Sequence, residues 1–245
     1  MHSNVSPLSV MNVKEILSAL DDSHPLKQHE ESITKFHSKL GVSSLCDIPY
    51  PGTESETQAF ACFVMIHYLG KVRFLKLTEA SILLASENNT YALSQVVRAT
   101  MENSAWLGHA LHLTGEWPPI KEAEPIKRLL YGSRFDVNEK DTGNRSFNIM
   151  TSLDKADKVL KGLLPEQATG WIREFHEMSC ELVHPNFDSN FSEVNWDTKA
   201  LKLRHSSEVT QKTLARLVRF FMMASFANEQ FILQFDKRIA ECVSG

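Results

Sequence analysis

The chain has 245 residues, of which 42% are hydrophobic and 23% charged, and its formal net charge is −4. This composition is typical of a globular protein and excludes a disordered or fibrous chain. Because there is no basic excess, the composition does not indicate broad affinity for nucleic acid.

The N-terminal region predicts two short helices. Asn12 and Glu15 form a capping-box pattern at the start of the first helix. Pro25 is typical of the first turn of a helix and indicates the start of the second. We expect residues 1–52 to be an N-terminal helical appendage and residues 53–245 to form a helical bundle, unless the whole chain is a single domain.

Two long helices follow. Thr53 and Glu56 form a second capping box, and residues 60–84 are apolar on nearly every side, which predicts a helix at the centre of the molecule. Residues 86–89 predict a turn, and residues 91–113 resume helical spacing. These two helices should form a long antiparallel hairpin.

The second half of the chain predicts four more helices. They cover residues 125–135, 153–164, 166–184 and 207–243. Residues 137–150 predict an exposed loop, and residues 186–206 are polar and weakly patterned, so no strand pair is predicted. The sequence therefore predicts an all-α helical bundle with a long antiparallel helix hairpin and a long C-terminal helix.

Several classes of function have no sequence support. The chain has no Gly-rich nucleotide-binding motif, no HExxH and no GxSxG, and its ten histidines are scattered, so neither a cofactor nor a metal site is predicted. No cysteine pair forms a CxxC and the first residues lack a signal-peptide pattern, so we expect free thiols and a cytoplasmic location. The most apolar late stretch is interrupted by Arg216, Arg219 and Glu229, so we expect no membrane span.

A stripe of polar residues follows the second hairpin helix. At about 100° per residue, Tyr91, Gln95, Arg98, Glu102 and His109 share one narrow face. Arg98 and Glu102 are four residues apart and can form an ion pair. The stripe is either a solvated face or an interior seam, in which Arg98 binds an anion and Glu102 orients it.

A second polar cluster ends the helix over residues 166–184. Arg173, Glu177 and His184 share one face, and Pro185 follows directly. A protonated imidazole at a helix C-terminus is favoured by the helix dipole, so His184 is either a helix cap or a general acid or base.

A third polar cluster lies in the last helix. Asn228 falls near the middle of its apolar face, and Glu229 lies inside the edge of that face. Because a buried unpaired carboxylate is costly, we expect Arg98 or a histidine to meet Glu229 across the bundle, and Glu229→Ala to destabilise the protein by roughly 3 to 5 kcal/mol. The alternatives are a structural polar network and an interior site for a small anion.

Two of these segments carry a family resemblance. Arg98-Ala-Thr-Met-Glu102 is followed by Met-Ser-Cys-Glu-Leu-Val-His-Pro-Asn at residues 178–186. This pattern resembles uncharacterised bacterial helical families related to the HEPN superfamily, in which an Arg-x-x-x-Glu helix accompanies a later Ser-x-x-x-x-His-Pro helix end. The resemblance covers residues 89–184. It implies an RNA-directed effector of a toxin or phage-defence system, or a noncatalytic scaffold or sensor.

The chain departs from the usual ribonuclease motif of that superfamily, which is Arg-x4–6-His on one helix. Arg98 and His109 are eleven residues apart, as are Arg173 and His184, which is about 16 Å along a helix. A nuclease site would therefore be assembled from different helices or across a dimer. In that site we expect Arg98 to hold a phosphate.

The other roles in such a site follow from the clusters above. Glu102 would orient Arg98, and His184 would transfer protons. Tyr91, Gln95, Asn228 and Glu229 would line the polar core or a ligand site. The expected partners are RNA, a second copy of the chain or another protein. The alternative to an effector is a noncatalytic helical module that self-associates or binds a partner protein.

Overall fold

The computed structural model describes most of the chain. The described residues are 12–40, 53–115, 123–132, 146–165, 170–184, 192–197, 199–200 and 202–244. Within them the predicted all-α bundle is confirmed, with eight α-helices and one small antiparallel sheet.

The elements, in chain order, are α1 (Val13–Ser18), a 3-10 turn (Lys27–His29), α2 (Glu30–Lys39), α3 (Glu54–Ser86), α4 (Thr90–Thr114), α5 (Ala123–Tyr131), α6 (Ile149–Leu163), α7 (Trp171–Val183), β1 (Val194–Asp197), β2 (Lys202–His205) and α8 (Ser207–Ser244). No helix among the described residues has the length and apolar composition needed to cross a membrane.

The predicted hairpin is formed by α3 and α4, and its ends follow from local chemistry. At the start of α3, Glu56 Oε2 accepts from the Thr53 amide at 2.8 Å, and Thr53 Oγ1 accepts from the Glu56 amide at 3.4 Å. Asn88 adopts a positive φ of 55° in the turn, a conformation that asparagine tolerates well. Gly115, also at a φ of 55°, ends α4.

The central helix is α4, and the prediction that α3 occupies the centre is wrong. α4 contacts α3, α5, α6, α7 and α8. Most of its buried hydroxyl groups donate back to carbonyls of the same helix, as from Thr100 to Val96 at 2.8 Å and from Ser104 to Met101 at 2.7 Å. Such bonds satisfy the hydroxyls internally, so a helix of moderate hydropathy can be buried on almost every side.

The N-terminal helices share the core of the bundle. The Phe36 ring of α2 lies 5.9 Å from the Phe74 ring of α3 and 6.2 Å from the Phe221 ring of α8. The division of the chain at residue 52 stays a prediction, because residues 41–52 lie outside the described part.

The prediction that no strand pair follows α7 is wrong. β1 and β2 form an antiparallel ladder in which Val194 faces His205 and Trp196 faces Leu203. Each strand has four residues and is largely exposed, so neither carries the buried alternation by which strands are recognised in a sequence.

Some predicted helix limits also differ. α6 begins at Ile149, inside the predicted loop over 137–150, because Asn148 Oδ1 accepts from the Met150 amide at 3.0 Å and caps the helix. Residues 137–145 of that loop lie outside the described part, as do residues 166–169 ahead of α7.

Gly108 permits the close contact between α4 and α6. A Cβ at this position would lie 2.5 Å from Ala156 Cβ and 2.7 Å from Ala156 Cα. Because the obstacle includes backbone, Gly108→Ala should lower the free energy of unfolding by about 1 to 3 kcal/mol in urea titrations. Gly162→Ala is the control, since nothing lies within 4 Å of its added Cβ and helix propensity favours alanine. Equal midpoints for Gly108→Ala and the wild type would contradict this account.

Candidate functional site

The polar stripe on α4 passes from solvent into the core. Tyr91 is 46% exposed and Gln95 is also exposed. The side chains of Arg98 and Glu102 are 28% and 39% exposed, and His109 is buried. The stripe is therefore exposed at its start, partly exposed at Arg98 and Glu102, and buried at His109. Neither predicted alternative, a solvated face or an interior seam, describes its whole length.

Two side chains contact the Glu102 carboxylate at this middle part. Its Oε1 lies 3.0 Å from Arg98 Nε, as the spacing predicts, and 3.5 Å from His176 Nε2 on α7. Interaction with His176, followed by Arg98, holds the pKa of Glu102 below its ordinary value despite partial burial. The carboxylate is therefore ionised at neutral pH, and it orients the guanidinium of Arg98.

The cysteine beside His176 does not complete a nucleophilic site. Cys180 Sγ lies 3.8 Å from His176 Nδ1, one helical turn along α7. Burial raises the pKa of the Cys180 thiol, and the nearby carboxylates raise it further, so the thiolate is disfavoured at neutral pH.

His176 is the imidazole near Glu102, and the sequence interpretation chose His184 instead. His184 is the exposed C-cap residue of α7, eight residues and about 12 Å along the axis from His176. The face of α7 that is buried most deeply contains Ile172, His176 and Ser179, each one position after the larger apolar residues Trp171, Phe175 and Met178. The sequence signal for a buried His176 was therefore its place between Ile172 and Ser179 at helical spacing.

Beside this cluster lies an open cleft of about 490 Å³, here called the arginine cleft. It is lined by Arg73, Arg98, Glu102, Trp106, Leu129, Leu130, Gly132, Ser146, Phe147, Ile149 and Ser152. The lining residues come from α3, α4, α5 and the start of α6, and from Gly132, Ser146 and Phe147 next to these helix ends. The cleft thus combines cationic groups with aromatic and hydroxyl side chains.

Arg73 is the cation that the sequence interpretation missed. Its guanidinium carbon lies 5.2 Å from the Trp106 ring centroid, and Trp106 Nε1 donates to the Leu129 carbonyl at 3.0 Å. Within the described part of the chain, no carboxylate pairs with Arg73. A guanidinium on an aromatic face with open hydrogen-bond donors is suited to binding an anion.

A neutral histidine lies behind the cleft, in contact with two of its lining residues. His109 Nδ1 lies 2.9 Å from Ser152 Oγ, and its ring lies edge-on to Phe147 at 4.6 Å. Burial, and then the charges of His112, Lys155 and Arg128, lower the pKa of His109 from 6.5 to about 4. His109 is therefore uncharged at neutral pH and adds no positive charge to the cleft.

Asn228 is buried as predicted, and it belongs to a polar network between helices. Its Nδ2 donates to the carbonyls of Thr100 at 3.0 Å and Ala224 at 2.8 Å, and its Oδ1 accepts from Asn103 Nδ2 at 2.8 Å. Asn103 Nδ2 also donates to the Gly70 carbonyl at 3.2 Å. The network joins α3, α4 and α8, so it fixes their register.

Glu229 does not meet Arg98 or a histidine, which corrects the sequence expectation. Its Oε1 lies 3.1 Å from Lys39 Nζ on α2, and the two side chains are 27% and 50% exposed. The expectation failed because the N-terminal region, treated as an appendage, covers this side of α8. Arg98 and Glu229 therefore belong to different surfaces.

Metal binding and comparison with known proteins give no further assignment. No group of three His, Cys, Asp or Glu side chains in the described ranges could hold a metal ion. No protein-family model matches the chain, and no curated protein or solved structure matches it either.

The two neighbouring residues on α8 should differ in their effect on stability. Asn228→Ala removes the oxygen that accepts from the buried Asn103 Nδ2, and it should lower the free energy of unfolding by roughly 1 to 3 kcal/mol. Glu229→Ala removes a half-exposed ion pair and should cost less than about 1 kcal/mol, not the larger loss expected from a buried carboxylate. Chemical denaturation of both variants measures this difference. A Glu229→Ala loss as large as that of Asn228→Ala would refute it.

Proposed function

We propose that this protein is a HEPN-like helical protein that binds RNA by placing a phosphate in the arginine cleft. The observation that carries the proposal is the pair of guanidinium groups, Arg73 on α3 and Arg98 on α4, which line one open cleft. Guanidinium groups bind phosphate oxygens through directed, charge-assisted hydrogen bonds.

The two arginines have different roles in this proposal. Glu102 compensates the charge of Arg98 and holds its Nε, which leaves the terminal nitrogens to contact a ligand. Arg73 keeps its full charge and lies against Trp106. Nucleobases stack on arginine and aromatic planes, so this pair can receive a base beside the phosphate.

The chemistry of the cleft supports binding more than cleavage. The described residues that line it include no histidine. His176 reaches Glu102, but its side chain is only 4% exposed. His184 would have to act from the exposed end of α7. A general acid or base within reach of a bound phosphate is therefore not evident among the described residues.

The biological setting in this proposal comes from the resemblance. The Arg-x-x-x-Glu pattern at Arg98 and Glu102, together with the later His184-Pro185 pattern, resembles uncharacterised bacterial helical families related to the HEPN superfamily, many of whose members are toxin or phage-defence proteins. RNA binding without cleavage fits a sensor or effector subunit of such a system.

The binding proposal is tested by Arg73→Gln in fluorescence anisotropy with a labelled single-stranded RNA at low salt. We expect about tenfold weaker binding and a salt dependence reduced by about one phosphate contact. Arg219→Gln on the exposed face of α8 changes net charge equally and should bind like the wild type. Equal affinities for Arg73→Gln and the wild type would exclude a phosphate site in the cleft. His184→Ala should leave RNA binding unchanged.

A second candidate function is self-association through α8. Phe226 is 39% exposed and Leu233 is 49% exposed, and their seven-residue spacing places them on one face. Light scattering at high concentration should then show a dimer, and replacing both residues with serine should restore the monomer. A strict monomer for the wild type would exclude this candidate, which ranks second because the exposed apolar face is small.

A further inference from the structure

The β1–β2 hairpin, here called the arm, presents two different exposed faces. Residues directly opposite in an antiparallel ladder share a face, so Trp196 and Leu203 lie together on one side. They are 44% and 62% exposed. Lys202 and Arg204 belong to the opposite side, and both are exposed as well.

The arm is attached firmly at its base. Thr90 Oγ1, at the start of α4, donates to Glu193 Oε1 at 2.6 Å. Thr213 Oγ1 on α8 donates to the Ser192 carbonyl at 2.8 Å, and the Ser206 amide donates to the Glu193 carbonyl at 3.0 Å. The two strands are thus held at a defined position by α4 and α8.

The two acidic side chains of the arm accept hydrogen bonds from within the molecule. The carboxylate of Glu193 accepts from Thr90, and Asp197 Oδ1 accepts from the amides of Lys199 and Ala200 at 3.0 Å each. Both acidic groups therefore have partners within the molecule.

The basic side chains of the arm have no such partners. Lys199, Lys202 and Arg204 are exposed, and they form no ion pair or side-chain hydrogen bond with any residue that the structure describes. In a chain with a net charge of −4, the arm carries these three cations and only two carboxylates, and its tryptophan is exposed on the face opposite Lys202 and Arg204. Phosphates paired with stacking bases are the chemistry that complements such a surface.

The position of the arm connects it with the arginine cleft. Its anchor, Thr90, precedes the polar stripe on α4, where exposed Tyr91 and Gln95 lead to Arg98. Thr90 and Arg98 are eight residues apart, about 12 Å along the axis. An extended single strand of a few nucleotides can span the distance from Arg98 to the base of the arm.

We propose that the arm is a second contact site for single-stranded nucleic acid, in which Trp196 stacks on a base while Lys202 and Arg204 contact phosphates. The inference rests on the proposed function of the arginine cleft and extends it. The expected ligand is a single strand that reaches from the cleft to the arm. A mononucleotide would occupy the cleft alone, and a duplex offers no unpaired base for stacking on Trp196.

The test measures anisotropy of labelled 12-nucleotide single strands, RNA and DNA of one sequence, and of the corresponding DNA duplex. Trp196→Ala should weaken binding of both single strands about tenfold and leave the duplex unchanged. Leu203→Ala is the matched control, because it removes the opposite exposed apolar side chain without removing a stacking ring. Equal single-strand affinities for Trp196→Ala and Leu203→Ala would overturn the proposal.

The charge component is tested by the double variant Lys202→Gln, Arg204→Gln. Its salt dependence should fall by about two phosphate contacts relative to the wild type. Arg219→Gln, Lys237→Gln on α8 changes net charge by the same amount and should retain the wild-type slope. Circular dichroism confirms that each variant is folded. A wild-type slope in the arm variant would contradict phosphate contacts at the arm.

The failure of this inference can be distinguished from failure of the cleft proposal. If Arg73→Gln weakens single-strand binding and Trp196→Ala does not, the cleft remains and the arm is excluded. If only the arm variants weaken binding, the arm remains and the cleft is excluded. If the arm variants change the molecular mass in light scattering without changing nucleic-acid affinity, the arm is an interface between copies of the chain, and the inference is overturned.

Discussion

The fold and the candidate site both depend on the buried carboxamide network between Asn103 and Asn228. It uses both hydrogens of each side-chain amide to join the backbones of α3, α4 and α8. Such bonds are satisfied in only one relative register of the helices, whereas apolar packing tolerates several. Because Glu102 precedes Asn103, the same register directs Glu102 and Arg98 towards the arginine cleft.

Some charged side chains of this protein have a partner of opposite charge within the molecule, and others, which we assign to ligand binding, do not. The Glu102 carboxylate satisfies Arg98 and meets His176, and Glu229 pairs with Lys39. Arg73, in the cleft, remains without a carboxylate partner among the described residues, as do the cations of the arm. A chain with a negative net charge can still bind an anion where its cations are left uncompensated, since screening limits the reach of distant charges.

The central position of α4 explains why hydropathy misidentified the core helix. α3 is more apolar, yet Leu69 and Leu83 on it are 42% and 48% exposed. α4 instead carries small residues such as Gly108, which lets α6 approach closely, and hydroxyls that bond within their own helix. Side-chain volume and internal hydrogen bonding therefore decided which helix could be surrounded.

The sequence by itself determined the features that depend on near neighbours in the chain: the helical class, the Thr53–Glu56 cap, the α3–α4 hairpin and the Arg98–Glu102 pair. These follow from helical periodicity and i to i+4 geometry, which need no knowledge of other elements. Only the tertiary structure decided that His176 meets Glu102 and Lys39 meets Glu229. One residue of difference rotates a helical position by about 100°, so such contacts depend on how whole helices pack. The arm likewise required its anchors on α4 and α8, because two short exposed strands are at best marginally stable alone.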